Sequence, residues 1–374
     1  MKGWALYRLP HTREVRCVSG EALEVASCVE LSGMSGFVLA PFAPSADAPV
    51  LMIQPETVES WSDSPSTFHL SQVTLHPSQV ILHPSRNDYH IDFANFHAHL
   101  LNGDFQKLVL SRGMDMKRTD DTTPVELFRR ACERYPRMMV SLAYTGRSGL
   151  WLAATPEILL SGHDNQWQTI ALAGTMPFGD DVRWSDKNIQ EQRYVATYIT
   201  EQLERFTSDF TEEGPYTARA GHLAHLRSDF RFSLYSNKVI GHLIQALHPT
   251  PAVCGLPKRE AFRFILQNEH HDRSYYSGFL GPLSVDGQTS LFVTLRCMRI
   301  FQDCYRLYAG GGLLKDSVEE QEWQETEAKL DTMRRLLSFS HEPHKPHEPH
   351  KPHEPHEPHE PHESYEPHEP HKSH

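Results

Sequence analysis

Asp104-Phe105-Gln106-Lys107-Leu108-Val109-Leu110-Ser111-Arg112 alternates so that Phe105, Lys107 and Val109 share one face while Leu108 and Leu110 line the other. A strand apolar on both faces is a buried strand, covered by protein on each side. A lysine in that setting loses hydration of its charged form, which favours the neutral amine that a base requires. The competing reading is a lysine at a strand end whose amine snorkels to water.

The patterns on either side give the architecture. Residues 91–101 repeat as a helix, 105–112 as the strand above, and 124–135 as a helix with Pro124 in its first turn. Residues 138–144 and 150–154 read as a strand pair joined at Thr145-Gly146-Arg147-Ser148-Gly149. Two long helical patterns, 186–206 and 318–337, flank strands at 279–283, 291–300 and 305–309. Strands cluster and helices are interspersed without regular βαβ alternation, so the expected class is α+β with mostly antiparallel sheets. Before residue 88, short apolar runs alternate with Pro and Ser clusters, as in strands and loops. There Ser71-Gln72-Val73-Thr74-Leu75-His76-Pro77 is followed by Ser78-Gln79-Val80-Ile81-Leu82-His83-Pro84, a tandem copy read as an expanded loop or strand pair. The expected organisation is an N-terminal part of the same fold at 1–90, a catalytic region at 91–340 and a tail at 341–374.

That tail distorts the composition. The 374 residues carry 36 Lys plus Arg and 48 Asp plus Glu, a formal charge of −12, which argues against binding nucleic acid by bulk phosphate attraction. The tail holds 11 of the 25 His, 9 of the 26 Pro, 8 Glu and 3 Lys; removing it leaves 40 acids and 33 bases, net −7. A 340-residue body exceeds the ~250–300 residues at which one core stops growing, so two subdomains or one large two-layer fold is expected. The His-Glu-Pro and His-Lys-Pro triplets admit polyproline II or disorder but neither helix nor sheet. A solvated appendage is the plain reading; a metal-buffering role is the rival. No apolar run is long enough for a membrane helix and the N-terminus lacks an export signal. Six cysteines without C-x-x-C spacing suit free thiols in a reducing cytoplasm.

Further residues point to chemistry. Glu157, in Trp151-Leu152-Ala153-Ala154-Thr155-Pro156-Glu157-Ile158, is a carboxyl among apolar neighbours, and burial raises such a group toward the range of a general acid. Read otherwise, it is a surface acid at a turn. Glu191 shares a helix face with Val195, Tyr198 and Ile199. Glu322, Glu325 and Lys329 share a face of the last helix. If Glu191 meets them inside the protein, the carboxylates repel unless a hard divalent cation joins them, and oxygen-only ligands favour Mg²⁺ over zinc. Arg296, expected inside the 291–300 strand, and the amides of Gly310, Gly311 and Gly312 suit a carboxylate.

Taken in order, Lys107-Leu108-Val109-Leu110-Ser111-Arg112, Ala154-Thr155-Pro156-Glu157, Leu172-Ala173-Gly174-Thr175, Leu247-His248-Pro249-Thr250-Pro251-Ala252-Val253-Cys254-Gly255-Leu256-Pro257, Arg273-Ser274-Tyr275-Tyr276-Ser277-Gly278 and Leu307 through Leu330 resemble the chorismate-utilising enzymes. That family includes isochorismate, salicylate, anthranilate and aminodeoxychorismate synthases, and the likeness runs from about Ile91 to Leu337. It implies two large antiparallel sheets packed as a sandwich with helices around them and a central active site. Lys107 then looks like the base that activates water, and Glu157 like the acid that protonates the departing C4 hydroxyl of chorismate. Glu191, Glu322 and Glu325 look like the Mg²⁺ site. Tyr276, Arg296 and Gly310 to Gly312 would hold the enolpyruvyl carboxylate, with Gly174, Thr175, His225, Ala252 and Lys329 completing the substrate-binding set. Ammonia-using relatives lack a lysine where Lys107 stands, and aminodeoxychorismate enzymes carry a nucleophilic lysine where this chain has Ala173. The resemblance therefore implies water as nucleophile, no glutaminase subunit, and isochorismate, used for menaquinone or siderophores, as product. Salicylate synthases, which also eliminate pyruvate, tend to carry threonine at the place of Ala252. The chain departs from the family at Gln192, usually histidine, at Gly311, usually alanine, and in a shorter link from Gly174 to Glu191.

Overall fold

Runs of apolar residues give this chain its sixteen strands among the described residues. The computed structural model describes residues 2–62, 73–79, 86–179 and 182–337. In chain order the elements are β1 (Lys2–Arg8), β2 (Val15–Val25), β3 (Gly36–Ala40), β4 (Val50–Trp61), α1 (Arg86–Leu101), β5 (Lys107–Lys117), α2 (Pro124–Arg134), β6 (Met139–Thr145), β7 (Gly149–Thr155), β8 (Ile158–His163), β9 (Gln166–Pro177), α3 (Asp186–Leu203), β10 (Phe210–Ala220), β11 (Leu223–Ser233), α4 (Ile240–Leu247), β12 (Gly255–Leu256), α5 (Lys258–Asn268), β13 (Phe279–Leu283), β14 (Gln288–Val293), β15 (Cys297–Ile300), β16 (Cys304–Leu313) and α6 (Glu319–Leu337). The described strands form one antiparallel ladder, β10-β11-β9-β8-β14-β13-β3-β4-β2-β1-β6-β7-β15-β16-β5-β12.

The ladder curls on itself. Tyr7 of β1 and Phe37 of β3 lie three strand intervals apart, about 14 Å on a flat sheet, yet their ring centroids are 5.6 Å apart. One buried cluster joins Phe37 and Leu39 from one half to Ala143, Trp151 and Ala153 from the other. The two sheets of the expected sandwich are thus two halves of a continuous ladder. Helices cover the outer faces. Val195 and Ile199 of α3 and Leu243, Ile244 and Leu247 of α4 pack over the β9–β11 half. Leu127 and Phe128 of α2 and Leu330, Met333 and Leu336 of α6 pack over the other half. Each such fully buried side chain contributes about 2 kcal/mol. Among the described residues no helix is long and apolar enough to cross a membrane.

Capping follows the sequence. The Thr123 hydroxyl accepts from Glu126 N ahead of Pro124, and the Ser185 hydroxyl accepts from Asn188 N to start α3. One expectation is corrected: 291–300 is two strands, and Arg296 lies in the link between them with φ +46°. The break is topological. β14 pairs with β8 and β13, whereas β15 pairs with β7 and β16, so the chain must leave one half of the ladder to join the other. Of the tandem heptads only residues 73–79 are described, in neither helix nor strand. The tail at 341–374 lies outside the described residues.

Candidate active site

Strand ends and links from both halves of the ladder meet around one cleft, with about 590 Å³ of non-protein space, part of it continuous with solvent. Its walls include Glu157, Gly174, Thr175, Glu191, His225, Ala252, Tyr276, Arg296, Gly310, Gly312 and Lys329, all singled out from sequence. Pro156 ends β7 and turns Glu157 inward, where it is buried with Oε1 lacking a hydrogen-bond partner. Burial pushes the Glu157 carboxyl up to about 7, against the pull of Lys107 and Arg296. Its charged form is disfavoured even with two cations nearby.

Lys107 does not snorkel: its side chain is fully buried at the start of β5. The amine stands 3.0 Å from Oε1 of Glu191, a wall of the cleft, and its charge acts on Glu157. Gly312 is what admits the two side chains. A Cβ there would lie 2.0 Å from Glu191 Oε1 and 2.9 Å from Lys107 Cε. This exposes a packing reason for glycine that the anion-binding reading of the Gly310–Gly312 run did not include.

Arg296 and His225 form a second group. His225 Nδ1 lies 2.8 Å from Gly174 O and its Nε2 lies 3.2 Å from Arg296 Nη2. A carbonyl can only accept and a guanidinium can only donate, so the ring is the neutral Nδ1–H tautomer. Burial, reinforced by Arg296, holds the His225 imidazole down at about 3, so it stays neutral at any physiological pH. Arg296 Nε is buried without a partner, so the guanidinium has a donor to spare.

The three acids expected to hold a metal approach neighbouring glycines: Glu191, itself a cleft wall, meets Gly312, and the other two meet Gly311. A Cβ on Gly311 would lie 3.4 Å from Glu322 Oε2 and 3.6 Å from Glu325 Oε1. Each acid is closed by its own lysine: Glu191 by Lys107 at 3.0 Å, Glu322 by Lys187 at 2.5 Å and Glu325 by Lys329 at 2.6 Å. Burial pushes the Glu322 carboxyl up, with Lys187 opposing. Burial also works against charge on Glu325, yet Lys329 and Lys187 outweigh it and hold that carboxyl below its ordinary range. Among the described residues no group of three or more His, Cys, Asp or Glu stands ready-made around a cation. By type the donors nevertheless suit a hard divalent ion: all are carboxylate oxygens, Glu322 Oε2 is buried and unpartnered, and Glu325 Oε1 approaches the same glycine.

Sequence reasoning missed Lys187, although it precedes Glu191 by one helical turn on α3, a spacing that signals a shared face. It also missed Tyr308, which lines the cleft and stacks on Tyr276 with centroids 5.4 Å apart. Gln192 is buried and donates to Ala171 O at 3.2 Å and Ser228 Oγ at 3.3 Å, so it serves packing away from the acids.

A family model described as chorismate binding enzyme matches residues 52–338. The isochorismate synthase DhbC of Bacillus subtilis is 31% identical over 262 residues, 65% of this chain and 66% of that protein. The isochorismate synthase MenF of Escherichia coli is 32% identical over 250 residues, 64% of this chain and 57% of that protein. The chain thus spans less than two thirds of the length of these curated relatives. In structure it superposes on the menaquinone-specific MenF of Escherichia coli with a TM-score of 0.76 at 23% identity, covering 90% of this chain and 89% of that one. That likeness establishes the fold.

Proposed function

The chain belongs to the chorismate-binding enzyme family, and from that premise we propose that it isomerises chorismate to isochorismate with the help of Mg²⁺. Water adds at C2, the C4 hydroxyl departs as water, and the ring double bonds shift between them. One observation carries the reading: Glu157 faces the cleft with an oxygen free and keeps its proton to about pH 7, beside a buried lysine. A leaving hydroxyl needs that proton, and an attacking water needs a base. The names of the two curated relatives support the same reaction.

Glu157 donates to the C4 oxygen, and Lys107 takes the proton of the incoming water. Arg296, Tyr276 and the amides of Gly310 to Gly312 hold the enolpyruvyl carboxylate. Ala173, where related enzymes carry a lysine nucleophile, leaves water to attack, so no glutaminase is needed. Glu191, Glu322 and Glu325 would hold the cation, whose positive charge would neutralise and fix the ring carboxylate. Six unpaired cysteines among the described residues support a cytoplasmic setting, with the product used for menaquinone or siderophore synthesis.

The decisive experiment incubates the purified protein with chorismate and Mg²⁺ and identifies the product. Isochorismate without pyruvate is expected; release of pyruvate would assign salicylate synthesis instead. EDTA stops turnover and added Mg²⁺ restores it, and full activity in chelator would remove the three carboxylates from the reading. Deleting residues 341–374 leaves the rate unchanged, because the cleft is built entirely from residues before 338. A truncated protein that loses its turnover would tie the tail to the reaction; one that loses only metal capacity would give the tail a separate, buffering role.

A further inference from the structure

The strand that carries Lys107 has almost no outer neighbour. β12 is two residues long and pairs only Gly255 with Leu108 and Leu256 with Lys107. One step further along β5, Val109 N still reaches Cys254 O at 2.7 Å. From there on, the backbone groups on that edge have no strand among the described residues to pair with, and a buried unpaired group is costly. Two side chains from beyond α5 take them. Arg273 Nη2 donates to Val109 O at 2.7 Å, and Ser111 N donates to Glu269 Oε1 at 2.7 Å.

The two side chains are themselves locked together. Arg273 Nε donates to Glu269 Oε2 at 2.6 Å and Nη2 to Oε1 at 2.8 Å, with both side chains about as buried as a core leucine, at 3% and 2% exposure. Arg273 Nη1 donates to Val253 O at 2.7 Å, the Ser111 hydroxyl donates to Glu269 Oε1 at 2.9 Å, and Tyr276 N donates to Arg273 O at 2.9 Å. Val109, Val253 and Tyr276 are all cleft walls. A buried ion pair is a weak source of stability, since packed apolar residues of the same volume often do as well. What this pair adds is geometry: one guanidinium and one carboxylate tie the wall residue Val253 to Val109 and Ser111 of β5, and the Arg273 backbone carbonyl anchors Tyr276 beside them.

We propose that Arg273 and Glu269 are positioning residues that stand in for a missing outer strand, holding β5, and with it Lys107, in register with the cleft. For its catalytic consequence the inference rests on the isomerase reading. Neither residue touches the cleft, so both act through Val109, Ser111 and Val253.

The test uses the full chain with Arg273→Met, Arg273→Lys and Glu269→Gln, and two readouts. Amide hydrogen exchange at Ser111, without substrate, should speed up by about tenfold or more in each variant, since its acceptor is lost or weakened. Turnover should fall by about 100-fold, as expected for a base displaced by an ångström, while chorismate affinity moves by less than about threefold because Arg296, in the link between β14 and β15, is undisturbed. Arg273→Lys does not rescue, because one ammonium cannot serve two carbonyls and both carboxylate oxygens at once. Should Arg273→Met fail to fold, Glu269→Gln keeps the shape and carries the test. A folded variant with turnover within about threefold of wild type overturns the positioning role, and unchanged Ser111 exchange overturns the substitute strand. Because exchange needs no chorismate, failure of the wild type to turn over chorismate would sink the isomerase reading alone.

Discussion

Glu157→Gln is expected to abolish turnover and, at the same time, to make the protein more stable above neutral pH. Glutamine keeps the shape of the protonated carboxyl but has no proton to give, and loss of a general acid costs about 10²–10⁴ in rate. The stability effect follows from the same burial. Glu157 titrates near 4.5 when exposed and near 7 in the fold, so the folded state holds the extra proton between those values. Its contribution is fully present below pH 4.5 and is lost as pH rises through 7, by about 3 kcal/mol once the group is charged. Glutamine never acquires that charge, so denaturant melts at pH 8 should show the variant ahead of wild type, and melts at pH 4.5 should show them together. In the wild type, turnover should fall about tenfold per pH unit above 7. Near-normal turnover in the variant, or a wild-type rate that holds level to pH 9, would remove Glu157 from the role of acid.

The contrast with the sequence reading is instructive at this position. Glu157 was legible because its apolar neighbours and the preceding proline announce burial at a strand end, and Lys107 because both faces around it are apolar. α1, α2, α3 and α6 were legible from periodicity, and the β6–β7 hairpin from its turn residues. β10 was not: it is mostly exposed, with Glu212, Glu213, Gly214 and Pro215 in its sequence, and it gains its strand character from pairing with β11. α4 was not, because eight residues span barely two turns, too few to tell helix from strand by period. Arg296 was placed in a strand because nothing local reveals that its two flanks join different halves of the ladder. Of the lysine partners of the acids, Lys107 and Lys329 were legible and Lys187 was not, because it looks like an ordinary helix cation and only the tertiary fold gives it Glu322.

Lys107 carries the other large effect, and its burial decides how the loss will look. Because the amine is fully buried against Glu191 and is not among the groups that hold the substrate carboxylates, Lys107→Met should leave chorismate binding within about threefold of wild type while turnover falls by 10³-fold or so. Methionine matches the length of the side chain and avoids the cavity that Lys107→Ala would leave under Gly312, so the variant isolates the amine. Both variants leave the Glu191 carboxylate uncompensated, a cost of about 3–5 kcal/mol, and Lys107→Ala should be equally inactive but less stable again because it adds the cavity. Lys107→Arg separates charge from basicity: the guanidinium restores a cation beside Glu191 yet cannot give up its proton, so stability should recover in part while turnover does not. The informative measurements are binding by calorimetry, single-turnover rates with chorismate, and melting in the three variants. A Lys107→Met protein that binds chorismate and still turns it over at more than a few per cent of the wild-type rate would show that water is activated by another group, and Glu191, the nearest carboxylate, would become the residue to test.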